Sequence, residues 1–209
     1  MNELLYREEM LWLQRSRVNW LKEGDRNTRF FHSRAVWRAK KNRISKLRDS
    51  DGTVHNMTKE METMATDYFK GMFTADPNIS PDRVTRLIQQ RITDEMNDKL
   101  CVGFTDEEIA TAVFQIGPLK APGPDGFPAR FYQCNWDIVK QDIMAAVRRF
   151  FHTGSMPSGV NEMAIVLIPK IDQPVGLKDF RPISLCNVVY KVDSKCLVNR
   201  LRLCLDDLV

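Results

Sequence analysis

The sequence has no apolar run that could cross a membrane and no pattern typical of disulfide or zinc sites. A membrane-spanning helix needs roughly 18 consecutive apolar residues, whereas charged residues interrupt the apolar stretches here, including the N-terminal MNELLYREEMLWLQRSR. The five cysteines are odd in number, widely spaced and without a C-x-x-C pair, which argues against a disulfide framework or a zinc site. We therefore expect an intracellular protein in a reducing compartment, nuclear or cytoplasmic, with neither secretory signal nor membrane partner.

Acidic residues are absent from one stretch, although the whole chain carries 31 basic and 27 acidic residues. The basic segment, Arg26 to Arg48, contains nine basic residues and no Asp or Glu, whereas a merely soluble helix mixes both signs and gains i,i+4 pairs. Arg34, Arg38 and Lys41 fall on one helical face, which favours a polyanion, RNA or DNA, over the alternative of a solvated face. The predicted nucleic-acid contacts here are Arg34, Arg38, Lys40, Lys41 and Arg43.

Two aromatic residues of the basic segment, Phe30 and Trp37, lie seven positions apart and share a helix face. We interpret them as packing residues and not as platforms for base stacking. The helix that carries them is predicted from Arg26 to Lys41. It follows a first helix from Asn2 to Glu23 that Gly24-Asp25 would end.

The remaining pattern predicts a mostly helical chain with short strands, an α+β fold. A small hairpin is expected around the turn at Asp49 to Gly52. A linker covers Thr74 to Ile79 and a short helix opens at Ser80-Pro81. Further helices are predicted over Thr58 to Phe73, after a capping box at Thr105 to Glu108, over Asp137 to His152 with a stop at Gly154, and from about Asn187 onward.

The stretch LKAPGPDGFPARFYQ, Leu119 to Gln133, concentrates proline and glycine. It lacks the G-x-x-x-x-G-K-[ST] spacing and a preceding strand, so a nucleotide-hydrolysing P-loop is excluded. We expect a rigid multi-turn loop in which Lys120 and Asp125 serve the loop geometry.

Two short apolar runs surround Lys170 and Arg181 and read as strands joined by a turn-rich loop. Ile165, Val166 and Ile168 are β-branched, as strands favour. One cation at the end of each strand would make a clamp for a nucleotide phosphate or a nucleic-acid backbone. The alternatives are a salt bridge of Arg181 with Asp179 and a solvated strand end at Lys170.

Four segments occur in order and span nearly the whole chain: WLKEGDRNTRFFH, KAPGPDGFPARFYQ, VLIPK and DFRPISLCNVVYKVDSKCLVNRLR. Together they resemble the reverse transcriptases of LINE-type (non-long-terminal-repeat) retrotransposons, the plant lineage most closely. The resemblance implies a basic helical linker over residues 1–76 and a partial fingers subdomain of a right-hand polymerase, with a small antiparallel sheet, over residues 77–209.

By this resemblance Lys170 and Arg181 are the fingers cations that contact the incoming nucleotide or the template. Lys191 and Arg200, on the last helix, are weaker candidates for nucleic-acid contacts. Polymerase chemistry needs carboxylates that hold two Mg²⁺ ions, and in the family these lie in the palm, which we expect to be missing. Asp206-Asp207 lies within a helical leucine stripe, so we interpret it as a helix surface.

No catalytic or metal-binding residue is therefore predicted, and Mg²⁺ is expected only in a full-length polymerase. The chain is expected to bind nucleic acid but to be inactive alone, so whether it counts as an enzyme stays open. Two alternatives also stay open: a non-catalytic nucleic-acid-binding module, and a decayed mobile-element relic without a function of its own.

Overall fold

The computed structural model describes residues 28–75 and 91–205, together with single positions 4, 7, 8, 11, 12, 15, 82 and 86. Within these residues the fold is mostly helical with two small antiparallel sheets, which confirms the predicted α+β class. Contacts along the chain group Met1–Asp76 with Val166–Ile183, and Pro77–Ile165 with Ser184–Val209. We call these groups the first and the second unit. In the described part of the chain, no helix combines the length and apolarity that crossing a bilayer requires.

Over residues 28–75 and Val166–Ile183, the first unit contains two helices, a two-stranded hairpin and the tip of a second hairpin. Leu47, Phe69, Leu177 and Phe180 form its buried core, with Leu167 among the residues packed against it. Because these residues come from the hairpin, a helix and the far segment Val166–Ile183, burial holds three separate parts of the sequence together. The elements are α1 (Thr28–Asn42), β1 (Leu47–Arg48), β2 (Val54–His55) and α2 (Thr58–Phe73).

The second unit is helical, and its last helix packs against most of the others. Its helices are α3 (Asp94–Cys101), α4 (Asp106–Gln115), α5 (Ala129–Cys134), α6 (Trp136–Thr153) and α7 (Val188–Leu205). Helix α7 contacts α3, α4 and α6. The core between them includes Ile109, Val113, Val147 and Val192, none of which is measurably exposed.

A second hairpin has residues in both units. Its strands are β3 (Met163–Pro169) and β4 (Phe180–Cys186), which pair with each other, and a short 3-10 turn at Leu177–Asp179 precedes β4. Its far end, Val166–Ile183, belongs to the first unit and is called the hairpin tip below. The hairpin tip and the basic helix α1 therefore belong to the same unit.

Local sequence signals predicted several elements correctly. Helix α2 has the predicted bounds, the capping box joins Thr105 and Glu108, and Gly154 ends α6 with a left-handed φ of 67°. In the first hairpin Leu47 pairs with His55, as the predicted turn requires.

Two helices of the structure, α3 and α5, were not predicted from the sequence. Helix α5 occupies the end of the segment predicted as loop, because Pro128 fixes the first turn and Ala129 is buried. Helix α3 was not predicted, although Thr93 caps it by accepting from the N–H of Met96. The helix predicted from Asn2 to Glu23, most of the linker and the helix predicted at Ser80 lie largely outside the described residues.

Candidate nucleic-acid interface

Helix α1 carries the centre of the basic segment. It has no acidic residue in its first turn and has Lys40 and Lys41 in its last turn. Cations at this end of a helix interact favourably with the helix dipole. Phe31 anchors the helix with 3% of its surface exposed. Arg34, Lys40 and Lys41 are exposed, as is Arg43 just after the helix, while Arg38 is half-buried. The predicted cations thus lie on a helix with an apolar anchor.

Trp37 does not pack into a core. Its side chain is 53% exposed, so its interpretation as a packing residue is wrong. The Arg34 guanidinium carbon lies 5.5 Å from the centre of the Trp37 ring and the Lys41 ammonium 5.3 Å from it. Residues three and four positions away on a helix are neighbours, which explains why these two cations reach the ring. The sequence does not reveal the exposure of Trp37, because residues spaced seven positions apart occur both on helix faces that meet a core and on faces that meet water.

Lys170 lies immediately after β3, at the base of the loop in the hairpin tip. Its backbone N–H donates to the carbonyl of Asp179 at 2.8 Å, and its ammonium donates to the carbonyl of Lys178 at 2.8 Å. An ammonium has three donors, so two remain for another acceptor. The side chain is exposed and is held in place by the loop that it closes.

Arg181 is the second residue of β4 and is exposed. The salt bridge with Asp179 that would occupy it does not form among the described residues. Asp179 instead accepts from the backbone N–H groups of Gly176 and Val175 at 2.9 and 3.1 Å. These backbone hydrogen bonds lower the pKa of the Asp179 carboxyl. Asp179 therefore shapes the loop, and the Arg181 guanidinium faces solvent.

The first unit brings the basic segment and the hairpin tip together. The Lys41 ammonium lies 3.0 Å from the Asp172 carboxylate, and the Arg48 N–H donates to the Val175 carbonyl at 2.7 Å. Together with the shared core, these contacts place the cations of α1, Lys170 and Arg181 on one unit. Sequence reasoning had assigned them to two separate domains.

The proline- and glycine-rich loop of the second unit is fixed by one residue that sequence reasoning missed. Asn187 is 5% exposed; its side-chain oxygen accepts from the N–H of Asp125 at 3.2 Å and its amide donates to the carbonyl of Gly159 at 2.8 Å. At Gly123 an added Cβ would lie 2.2 Å from that Asn187 oxygen. Only glycine permits this approach. The signal that could have found Asn187 is its position directly before a helix.

Lys191, a predicted nucleic-acid contact, lies on α7 in the second unit. Its ammonium donates to the Ala121 carbonyl at 2.9 Å, and burial lowers its pKa. Asp125 and Lys120 lie close enough to act on the same pKa in opposite directions. The structure thus attaches Lys191 to the proline- and glycine-rich loop of the second unit.

Arg200 is not a surface cation. It is 8% exposed, and its guanidinium donates two hydrogen bonds to the Glu108 carboxylate, both at 2.7 Å. It also donates to the carbonyls of Gly103 and Val102, and lies 3.6 Å from the centre of the Phe104 ring. This pairing lowers the pKa of Glu108. The weaker proposal of a nucleic-acid contact at Arg200 is therefore replaced by a structural role in joining α7 to α4.

Asp193 is buried on α7 with 3% of its surface exposed, and its Oδ1 has no hydrogen-bond partner among the described residues. Burial raises its pKa to about 7, because a desolvated carboxylate is costly. Nothing in the sequence pattern singled out this residue.

The described residues contain no group of three or more His, Cys, Asp or Glu side chains placed to hold a metal ion. The five cysteines are free thiols. Asp206 and Asp207 lie outside the described residues.

No protein-family model matches the chain. Over 197 residues, 93% of its length, the chain is 27% identical to the "Transposon TX1 uncharacterized 149 kDa protein" of Xenopus laevis. It spans 15% of the length of that protein. The chain is therefore similar to a transposon protein, which supports its derivation from a mobile element.

Proposed function

We propose that this chain is the nucleic-acid-binding linker and fingers part of an RNA-directed DNA polymerase, the reverse transcriptase of a LINE-type retroelement. The observation that carries the proposal is the placement of the basic segment and the hairpin tip on one unit. The similarity to a transposon protein supports an origin in a mobile element, and the four sequence segments are the basis of the LINE-type polymerase assignment.

The charges of the first unit suit a phosphate backbone. Lys170 keeps two donors after contacting the Lys178 carbonyl, and a guanidinium such as that of Arg181 offers a bidentate donor fork for phosphate. Asp179 is committed to backbone N–H groups, so no described carboxylate competes for Arg181. The unit therefore presents donors from two elements to a single polyanion.

The salt dependence of binding tests the role of the basic segment. Each phosphate contact on duplex DNA contributes a slope of about −0.9 to log K against log salt concentration. Reversing Arg34, Arg38 and Lys41 to Glu is expected to flatten the slope by about 2 to 3, measured by fluorescence anisotropy with a labelled duplex.

A matched control reverses three exposed cations of the second unit, namely Lys99, Arg149 and Arg202. Both triple variants change the net charge by the same amount. The comparison therefore separates direct phosphate contacts from the general attraction between a basic protein and DNA. The proposal fails if both triple variants flatten the slope alike, or if the slope of the first variant is unchanged.

The hairpin cations have a separate test. Replacing Lys170 and Arg181 with Gln is expected to weaken primer–template binding by about tenfold or more, since hydrogen bonds to charged groups contribute about 1.5–3 kcal/mol each. Lys178→Gln is the control, because Lys178 contributes only its backbone carbonyl to the loop contact with Lys170. If the Lys178 variant lost as much primer–template affinity as the Lys170 and Arg181 double variant, these two cations would not form a specific clamp.

The proposal assigns binding, and not chemistry, to this chain. In a primer-extension assay with Mg²⁺ or Mn²⁺, the chain is expected to bind the primer–template without extending it, because the metal-holding carboxylates of the family lie in the palm. Incorporation of nucleotides by the chain alone would contradict this part of the proposal.

A further inference from the structure

Trp37 is an exposed aromatic residue on a helix that already has a buried anchor. Phe31 is 3% exposed, whereas Trp37 is 53% exposed. Phe31 therefore anchors α1 by burial, whereas about half of the Trp37 surface is left in water by the described part of the chain. A single exposed apolar residue is ordinary on a protein surface, so it is the charges around the ring that indicate a ligand.

The surroundings of the ring are cationic. The Arg34 guanidinium carbon and the Lys41 ammonium each lie within 5.5 Å of the ring centre, one helical turn before and one after Trp37. This is the distance range of cation–π attraction. A π-surface bordered by two positive charges matches a base bordered by two phosphates.

The contact that holds Lys41 is weak enough to exchange. Lys41 pairs with Asp172 at 3.0 Å, but the two side chains are 46% and 87% exposed. Ion pairs in this environment contribute little because water and salt screen them. A phosphate can therefore replace the Asp172 carboxylate at the Lys41 ammonium.

We propose that Trp37, between Arg34 and Lys41, is a stacking platform for an unpaired base, so that this face of α1 binds single-stranded nucleic acid. The inference rests on the proposed nucleic-acid binding and adds its substrate class. Bases in a duplex are already stacked on each other and cannot reach the ring, whereas every unpaired base has a free π-face. Duplex binding would then use the cations alone.

The test compares Trp37→Ala with the unaltered chain on a single-stranded oligonucleotide and on a blunt duplex of equal length. Stacking on an aromatic side chain is worth about tenfold or more in affinity per base. Trp37→Ala is expected to weaken single-strand binding by about that factor and to change duplex binding by less than about twofold. Trp37→Phe keeps a ring and should retain most of the affinity, which guards against loss of folding in the alanine variant.

Val36→Ala is the matched control, since Val36 is an exposed neighbour on the same helix and its loss removes no π-surface. Asp172→Asn should tighten single-strand binding by up to about fivefold, the range of an exposed ion pair, because it releases Lys41. Separate affinity measurements with oligo(U) and oligo(dT) show whether the preferred single strand is RNA or DNA.

The outcomes separate the two proposals. If the triple reversal of Arg34, Arg38 and Lys41 flattens the salt slope but Trp37→Ala affects single strand and duplex equally, or neither, the platform is overturned and nucleic-acid binding stands. If the unaltered chain shows no salt-dependent binding to either oligonucleotide, the proposed function fails first. Weaker binding by Asp172→Asn would also overturn the assignment of Lys41 to the phosphate.

Discussion

Replacing Asp193 with Asn should change how the stability of the chain depends on pH. Asp193 is buried on α7 and its Oδ1 has no partner among the described residues, and burial raises its pKa from 3.8 to about 7. Between these two values the unfolded carboxyl is ionised while the folded one keeps its proton. The free energy of unfolding of the unaltered chain therefore falls as pH rises from about 4, and levels off above pH 7.

The magnitude follows from the pKa difference. Each pKa unit corresponds to about 1.4 kcal/mol, so the whole effect is about 4 kcal/mol. About 3 kcal/mol of it falls between pH 4.5 and pH 8, because the unfolded carboxyl is already mostly ionised at pH 4.5. Asn has a similar size and does not titrate, so Asp193→Asn gains about that much relative to the unaltered chain across this interval.

Urea unfolding at pH 4.5 and pH 8, followed by circular dichroism, measures the difference between the two chains. Other titrating groups, such as Glu108 and His55, contribute equally to both and cancel. Asp142→Asn, at an exposed position of α6, is the control variant. The carbon NMR signal of the Asp193 carboxyl gives a direct check. A midpoint near pH 4, or parallel stability curves for the two chains, would refute the reasoning.

Three further changes test the packing. Arg200→Met should lower the free energy of unfolding by about 1–3 kcal/mol, because it removes the hydrogen bonds to Glu108 and leaves the Gly103 carbonyl without its donor. Arg202→Met, on the exposed side of α7, should change it by less than about 0.5 kcal/mol. Gly123→Ala should destabilise the chain because the new Cβ meets backbone and side-chain atoms at 2.2–2.5 Å; Gly71→Ala, in open space within α2, should stabilise it by about 0.5–1 kcal/mol. Phe180→Ala, at 2% exposure in the core of the first unit, should cost about 3–5 kcal/mol. All are measured by urea unfolding.

Each of these three predictions has a contradicting result. Equal effects of the Arg200 and Arg202 substitutions would show that the Arg200–Glu108 pair does not join α7 to α4. Stabilisation by Gly123→Ala would mean that the proline- and glycine-rich loop does not approach Asn187 as closely as described. A loss below about 1 kcal/mol at Phe180 would place the hairpin tip outside the core of the first unit.

Local structure could be predicted because its causes are local. The capping box needs only Thr105 and Glu108 three residues apart, and both reciprocal hydrogen bonds form. Helix α2 and the stop at Gly154 follow from helical periodicity and from the left-handed φ that glycine accepts. Helix α5 was missed because proline and glycine dominate the residues before it, while burial of Ala129 decides the helix.

The candidate interface was only partly predictable. The charges of α1 and the cations at Lys170 and Arg181 are visible in the sequence, since their signal is residue type and spacing. The exposure of Trp37 is not, because a residue seven positions from Phe30 has the same spacing whether that face meets a core or water. Solvation of a helix face depends on what packs against it.

The sequence by itself determined the α+β composition, the acid-free basic segment and the caps and turns, all of which depend on residues within a few positions of each other. Tertiary structure decided which distant segments meet. It pairs Arg200 with Glu108, seats Asn187 against Gly123, and groups the hairpin tip with α1. These contacts join residues far apart in the chain, and burial, not local propensity, selects them.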